Sequence, residues 1–280
     1  WDSADHPAPD TIGPLGWALA LIRGLVLATV VFTGLLVLLC IRLIERPLCG
    51  QGRPVTPHIT QTVCKIAFWI MGLRREVIGT PMRHRGAVVA NHTSWLDIFS
   101  LNAAQRIYFV SKSEVASWPG IGWLAKATGT LFIERNPKHA RKQTEIFQRR
   151  LLDNHRLLFF PEGTSTDGKQ VLPFKTTLFQ SFFTPELRDA IWVQPVTVLY
   201  TAPVGADPRF YGWWGDMSFG GHLVRTLASA RQGKVTSIYH TPLAVADFDN
   251  RKTLAQACET QVRSAHPSEQ IAAPNTAELR

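Results

Sequence analysis

The chain has 280 residues, 45% apolar and 18% charged, enough for one large domain or a domain with an appendage, and too apolar to stay unfolded. A net charge of +9 directs it towards anionic partners: nucleic acid, an acidic lipid surface or phosphorylated substrates. Its four cysteines (Cys40, Cys49, Cys64 and Cys258) have no C-x-x-C spacing, which argues against a zinc site or a disulfide framework and fits a reducing compartment.

The first element is "GLVLATVVFTGLLVLLCI", Gly24–Ile41, eighteen residues without a charge. That length predicts a membrane-spanning helix, with a dip into one leaflet as the alternative, and the absence of a polar face sets it apart from a helix of a soluble core. No basic segment precedes it and no A-x-A site follows, so it does not read as a cleaved signal. Asp2, Asp5 and Asp10 lie before the run, and Arg42, Arg46 and Arg53 after it. The basic side faces the cytoplasm by the positive-inside rule, which puts the main domain there, on a bacterial inner membrane. A second apolar segment, Val63–Leu73, is too short to span and is expected in the interface or folded back on the first helix.

Beyond Leu73, short β-rich runs alternate with helical stretches. The runs are "REVIGT" (75–80), "GAVVA" (86–90), "RIYFV" (106–110), "TLFIE" (130–134), "RLLFF" (156–160) and "IWVQPVTVLY" (191–200). Lys138–Asn154 has helical apolar spacing, and "KVTSIYHTPLAV" (234–245) predicts one further strand. The alternation predicts an α/β domain around a central sheet, with ligands beyond the carboxyl ends of its strands. Pro195, inside its run, predicts an edge strand or a bulge. The aromatic run Trp118–Leu124 suits either bilayer contact or a core. The tail from Ser264 is polar, poorly patterned and expected to be loose.

Four stretches lie at strand ends. In "NHTSWLD", His92 and Asp97 stand five residues apart. Five residues of regular helix turn through about 500°, so the two can meet only if His92 precedes the helix and Asp97 lies in its first turn. Ser94 and Asp97 also have capping-box spacing, and a cap does not exclude the pair. "FPEGTS" sets Glu162, Gly163, Thr164 and Ser165 in a turn after a strand, where amides and hydroxyls could hold an anion or a hydroxyl. Read alone, it is a plain polar turn. "LFIER" ends on Arg135, which reads either as a cation for phosphate or carboxylate or as a solvated surface arginine. "VQPV" (193–196) reads by itself as core packing.

Together and in this order, "NHTSWLD", "LFIER", "FPEGTS" and "VQPV" resemble the glycerolipid acyltransferase family, whose members include lysophosphatidic acid and glycerol-3-phosphate acyltransferases. The resemblance covers Val77 to Val198 and extends loosely over residues 112–129 and 211–219. It implies a glycerol-3-phosphate-acyltransferase-like mixed sheet flanked by helices, with the apolar N-terminal helices (1–73) as membrane anchor, the acyltransferase domain at 74–263 and the tail at 264–280. It implies His92 as general base, Asp97 as the carboxylate that orients it, and Glu162, Gly163, Thr164, Ser165 and Arg135 as acceptor-binding residues, with Lys112 near an acidic head group. The donor would be acyl-CoA or acyl carrier protein, with no metal and no further cofactor. Because a thioester is already activated, direct transfer needs no serine or cysteine nucleophile. The acceptor would be a lysolipid: lysophosphatidic acid giving phosphatidic acid, or lyso-ornithine lipid as the alternative. The family motif commonly reads "FPEGTR", and here Ser165 replaces that arginine. A hydroxyl supplies no charge for a phosphomonoester, which leaves room for an acceptor without one.

Two other classes compete. One is a non-catalytic protein of the membrane surface, and the other a nucleic-acid binder drawn from Arg74, Arg75, Arg83 and Arg85. No nucleic-acid motif accompanies those arginines, and the apolar N-terminus favours anionic lipid. A serine hydrolase is excluded by the lack of a G-x-S-x-G elbow.

Overall fold

This computed structural model describes residues 6, 11–134 and 137–267, with backbone alone for 137–142. The elements run α1 (Pro14–Cys49), α2 (Thr56–Met71), β1 (Arg74–Ile78), β2 (Gly86–Ala90), α3 (Leu96–Ala104), β3 (Tyr108–Lys112), α4 (Ile121–Thr128), β4 (Leu131–Ile133) and α5 (Pro137–Leu152). They continue with β5 (Leu157–Phe159), α6 (Pro185–Arg188), β6 (Trp192–Thr201), α7 (Phe219–Ala228), β7 (Lys234–Tyr239), β8 (Leu243–Ala244) and α8 (Arg251–Ser264). The expected mixed sheet flanked by helices is present.

The sheet order is β1-β7-β6-β2-β5-β3-β4, with β8 also pairing β6. β6, β2, β5, β3 and β4 are parallel to one another, and β7 runs antiparallel to β6. β2 is therefore the middle strand, and its run of five buried residues follows from being covered on both faces. Val88 and Ala90 pack with Leu158, Val196 and Val198 against Phe68, Met71 and Leu101 of the helices on one side. Ala87 and Val89 pack with Leu157, Phe159 and Val193 against Phe147 of α5 and Leu254 and Val262 of α8 on the other. The alternation is the period of two that a strand imposes.

Three sequence expectations need correction. Residues 234–245 form two strands, not one. Pro195 is not on an edge, because β6 lies between β2 and β7. Its carbonyl accepts from the His240 amide at 3.0 Å, so its nitrogen faces the gap where β7 has ended and β8 has yet to begin. No ladder donor is missing there. The tail is not loose at its start: His266 is buried, with Nε2 3.1 Å from the Gly168 carbonyl oxygen, and the tail beyond 267 lies outside the described residues.

The uncharged run lies inside a longer helix. α1 has 36 residues, roughly 54 Å at 1.5 Å per residue, and is long and apolar enough to cross a membrane. α2 folds back on α1, and Gly34 makes the approach possible, since a Cβ there would stand 2.5 Å from Val63 Cγ2. Glu45, buried near the end of α1, accepts from the Val55 and Thr56 amides and the Thr56 hydroxyl, and so caps α2 from the neighbouring helix. At the other end of α1, Arg23 donates to the carbonyls of Leu227 and Ser229 at the C-terminus of α7, satisfying acceptors a helix leaves open. In the loop between α1 and α2, Arg53 donates to the Ala127 carbonyl of α4. The hairpin is thus tied to the α/β unit at both ends. Leu21, Leu25, Phe32, Leu36 and Leu43 of α1 and Trp69 of α2 are exposed. Trp118 and Trp123 are exposed as well, so the aromatic run at 118–124 is not core.

Gly86 opens β2 at φ +146°, and a Cβ there would lie 1.8 Å from the Trp192 carbonyl oxygen. Gly86→Ala is expected to cost at least about 2 kcal/mol in strain and displacement. In a chain of this size that lowers the thermal midpoint by roughly 5 °C. An unchanged midpoint would mean that β2 and β6 do not approach this closely.

Candidate active site

The parallel strands β6, β2 and β5 end at one edge of the sheet, and each delivers polar groups to the same place. Asn91, directly after β2, extends the ladder with its side chain. Its Nδ2 donates to the Val198 carbonyl and its Oδ1 accepts from the Val198 amide, at 2.9 and 2.7 Å. The segment from His92 to Ser94 then turns into α3.

His92 lies off the helix and Asp97 in its first turn, the arrangement their spacing requires. His92 Nδ1 is 2.8 Å from Asp97 Oδ2. The same oxygen accepts from the amides of Thr93 and Ser94 at 2.8 and 3.0 Å. The Ser94 hydroxyl lies 3.4 Å from the Leu96 amide, so the pair of residues does form a capping-box-like start. Asp97 Oδ1 accepts from the Tyr200 hydroxyl of β6 at 2.6 Å. Asp97 is fully buried, and these four donors replace the water it has lost. Burial first, then the Asp97 charge, hold the Tyr200 phenol well above its ordinary pKa, so it stays a donor.

The carboxylate fixes the imidazole. With Nδ1 engaged, Nε2 is left without a protein partner among the described residues, on a side chain 19% exposed. The ring lies on Phe160, centroids 3.9 Å apart and planes 9° from parallel. A histidine held in one tautomer, backed by a carboxylate and open at Nε2, can accept a proton there.

Glu162 follows β5 and faces inward. Its Oε1 accepts from the His92 amide at 2.6 Å and its Oε2 from the Leu172 amide at 2.7 Å. The resemblance implies acceptor binding for this residue, but both carboxyl oxygens are spent on the backbone, so its geometry is that of a clamp between two loops. A third tie, from the Thr166 amide to the His92 carbonyl, spans 2.9 Å. Gly163 takes φ +73°, which only glycine adopts at little cost. Ser165 is buried, Thr164 and Gly163 partly so. The amides of Thr164 and Ser165 have no protein partner among the described residues. Lys112 closes β3, across β5 from β2, and is exposed at the same edge. Arg135 lies outside the described residues.

The sequence reading missed Asn91, Tyr200 and the clamp. Tyr200 had a faint signal, a hydroxyl at the end of an apolar strand. Trp95 is a further support: its Nε1 donates to His222 Nδ1 at 2.9 Å. Burial pulls His222 down to about 4, which keeps that nitrogen an acceptor.

Burial pushes the Glu162 carboxyl up to about 8, against the opposing effect of its two amides. A carboxyl with a raised folded pKa holds its proton better in the native state. Its stabilising contribution is complete below the ordinary 4.5 and is lost as pH rises towards 8. Glu162→Gln should therefore flatten the decline of stability with pH across this window. It should also lower stability by about 1–3 kcal/mol in acid, because one amide donor then faces another. Chemical denaturation of both proteins between pH 4.5 and 8 measures this, and parallel curves would contradict it.

Comparison with known proteins bears on the chemistry of this edge. The model of the Acyltransferase family matches residues 74–199. The lyso-ornithine lipid O-acyltransferase of Rhodobacter capsulatus is 59% identical over 261 residues, covering 93% of this chain and 95% of that protein. A 1-acyl-sn-glycerol-3-phosphate acyltransferase of Neisseria gonorrhoeae is 41% identical over 98 residues, 34% of this chain and 37% of its own. The crystal structure of the 1-acyl-sn-glycerophosphate acyltransferase of Thermotoga maritima shares the fold, with a TM-score of 0.58 over 91% of this chain and 98% of that one at 21% identity. With strand ends, motif order and full-length similarity in agreement, the chain belongs to the acyltransferase family and is an acyltransferase.

Proposed function

We propose that this enzyme transfers a fatty acyl group from acyl-CoA or acyl carrier protein to the free hydroxyl of a lysolipid, with lyso-ornithine lipid as the acceptor. The observation that carries the chemistry is the His92–Asp97 contact with Nε2 left open. The acceptor hydroxyl gives its proton to Nε2 as its oxygen attacks the thioester carbon. The tetrahedral intermediate then collapses, the carbon–sulfur bond breaks, and the proton on Nε2 passes to the departing thiolate. Asp97 holds the ring and stabilises the imidazolium between those two events. The unpartnered amides of Thr164 and Ser165 are the natural donors for the oxyanion.

Ser165 and the full-length similarity to a lyso-ornithine lipid enzyme favour that acceptor over lysophosphatidic acid. Arg135 and Lys112 are retained as substrate-binding cations in this reading. The hairpin serves as the membrane anchor. A helix docked on the same domain at both ends lies along that domain, so α1 enters the lipid sideways from the cytoplasmic face instead of crossing it.

His92→Ala should lower acyl transfer by about 10²-fold or more with the fold intact. Normal turnover by a folded variant would leave only a binding role at the membrane surface. Tyr200→Phe, which removes one of the four donors to Asp97, should cost on the order of tenfold. The acceptor is tested with purified enzyme on lyso-ornithine lipid, lysophosphatidic acid and glycerol-3-phosphate, each with both donors. Preference for lysophosphatidic acid would reject the lyso-ornithine assignment.

A further inference from the structure

The corner where α2 meets β1 carries a groove that the catalytic chemistry does not use. α2 ends on Gly72, whose φ of +72° glycine adopts at little cost, and the amides of Gly72 and Leu73 return to the carbonyls of Trp69 and Phe68. This end turns the chain straight into β1, so Arg74 and Arg75 come back beside the last turns of the helix. Lys65, Phe68, Trp69 and Gly72 have the i, i+3, i+4, i+7 spacing of one helix face. Together with Leu73, Arg74 and Arg75 they line an open groove of about 350 Å³.

The groove is basic, and its charge is not consumed by the protein. The side chains of Lys65, Arg74 and Arg75 have no hydrogen bond or ion pair among the described residues. Glu76, the acid next to them in sequence, is taken by Lys234 at 2.7 Å and by the Thr236 hydroxyl at 3.1 Å. The carbonyls at the end of α2, which would repel an anion, are covered by the two capping amides. A Cβ at Gly72 would stand 3.7 Å from Arg23 Nη2, which puts a fourth positive charge beside the groove. Phe68 is buried, whereas Trp69 is 82% exposed, a large ring that the protein leaves uncovered. Arg74 is in register with Lys234 of β7, and Lys234 with Thr201, the last residue of β6. β1 therefore begins at the edge of the sheet where β6 and β2 end, three strand spacings or about 14 Å from the strand that delivers His92.

We propose, on the reading of the hairpin as the membrane anchor, that this groove binds the phosphate of an anionic phospholipid that belongs to the bilayer and is not consumed. An apolar helix surface sets the depth of an anchor but does not choose among head groups. Cations without protein partners do choose, and they select negative charge. An exposed tryptophan settles at the level of the head groups, and there the anion within reach of the neighbouring arginines is a lipid phosphate. Two adjacent guanidiniums and an ammonium suit the oxygens of a phosphodiester. Duplex nucleic acid would leave Trp69 and the exposed apolar side of α1 in water. The lipid pins the hairpin at the end that adjoins the catalytic edge, which keeps a lipid acceptor close to His92.

The test is flotation of the full-length enzyme with vesicles of phosphatidylcholine alone and of equal parts phosphatidylcholine and phosphatidylglycerol. The variants are Arg74→Gln/Arg75→Gln in the groove and Arg83→Gln/Arg85→Gln, which removes the same charge from the loop before β2. The groove variant is expected to lose about thirtyfold in affinity for the mixed vesicles and nothing for the neutral ones. The loop variant should lose less than about threefold. Acyl transfer in neutral detergent micelles should stay as in the wild type for both, which shows that they fold. If the groove variant misfolds, Lys65→Gln takes its place, with a loss of about fivefold. Equal losses for the groove and loop variants, or equal affinity of the wild type for the two kinds of vesicle, overturn the proposal and leave the anchor reading intact. A second readout follows acetylation of Lys65 by acetic anhydride with mass spectrometry. Phosphatidylglycerol in detergent micelles should slow it, and phosphatidylcholine micelles or inorganic phosphate should not. This arm decides the groove even if the wild type floats with neither vesicle, a result that rejects the anchor reading. No protection by phosphatidylglycerol, equal protection by inorganic phosphate, or protection by duplex DNA in its place overturns the proposal.

Discussion

The site is organised by one buried carboxylate. Asp97 accepts hydrogen bonds from the His92 ring, from the amides of Thr93 and Ser94, and from the Tyr200 hydroxyl. An unpaired carboxylate in this position would be costly, since the protein offers it no water. Four donors remove that cost and tie three pieces of chain together: the segment after β2, the first turn of α3 and the end of β6. The turn geometry, the tautomer of His92 and the attachment of α3 to the sheet all follow from satisfying this one group.

A second buried acid does comparable work on the other flank. Glu162 joins the His92 amide to the Leu172 amide. The two acids hold His92 from opposite sides, one by its ring and one by its backbone. The hydrogen bonding of the Glu162 carboxyl is therefore internal to the protein. In the fold both Glu162 oxygens accept from backbone amides, those of His92 and Leu172. Among the described residues, His92 Nε2 and the amides of Thr164 and Ser165 are left without a protein partner.

The N-terminal hairpin shows the same use of charge to settle geometry. Arg23 is the one interruption between two apolar runs, and it caps α7. Glu45 caps α2. Both charges lie where they complete a helix terminus of the protein, so the apolar surface of α1 is left continuous on its outer side.

The sequence alone determined the apolar N-terminal helix, the alternation of strands and helices, and the strand-end position of His92. These are local properties: an uncharged stretch, a period of two or 3.6, and a turn between them. It also showed that His92 must precede the helix for Asp97 to reach it, because helical geometry forbids the alternative. Only the tertiary structure decided which groups share a site. The sheet order puts β6 beside β2, and no local pattern specifies that Tyr200 will donate to Asp97 across 103 residues of chain. The split of residues 234–245 into two strands and the tolerance of Pro195 were hidden for the same reason, since each depends on what the neighbouring strand does. Contacts between distant segments depend on packing and on the satisfaction of buried polar groups, and neither is written in any window of the sequence.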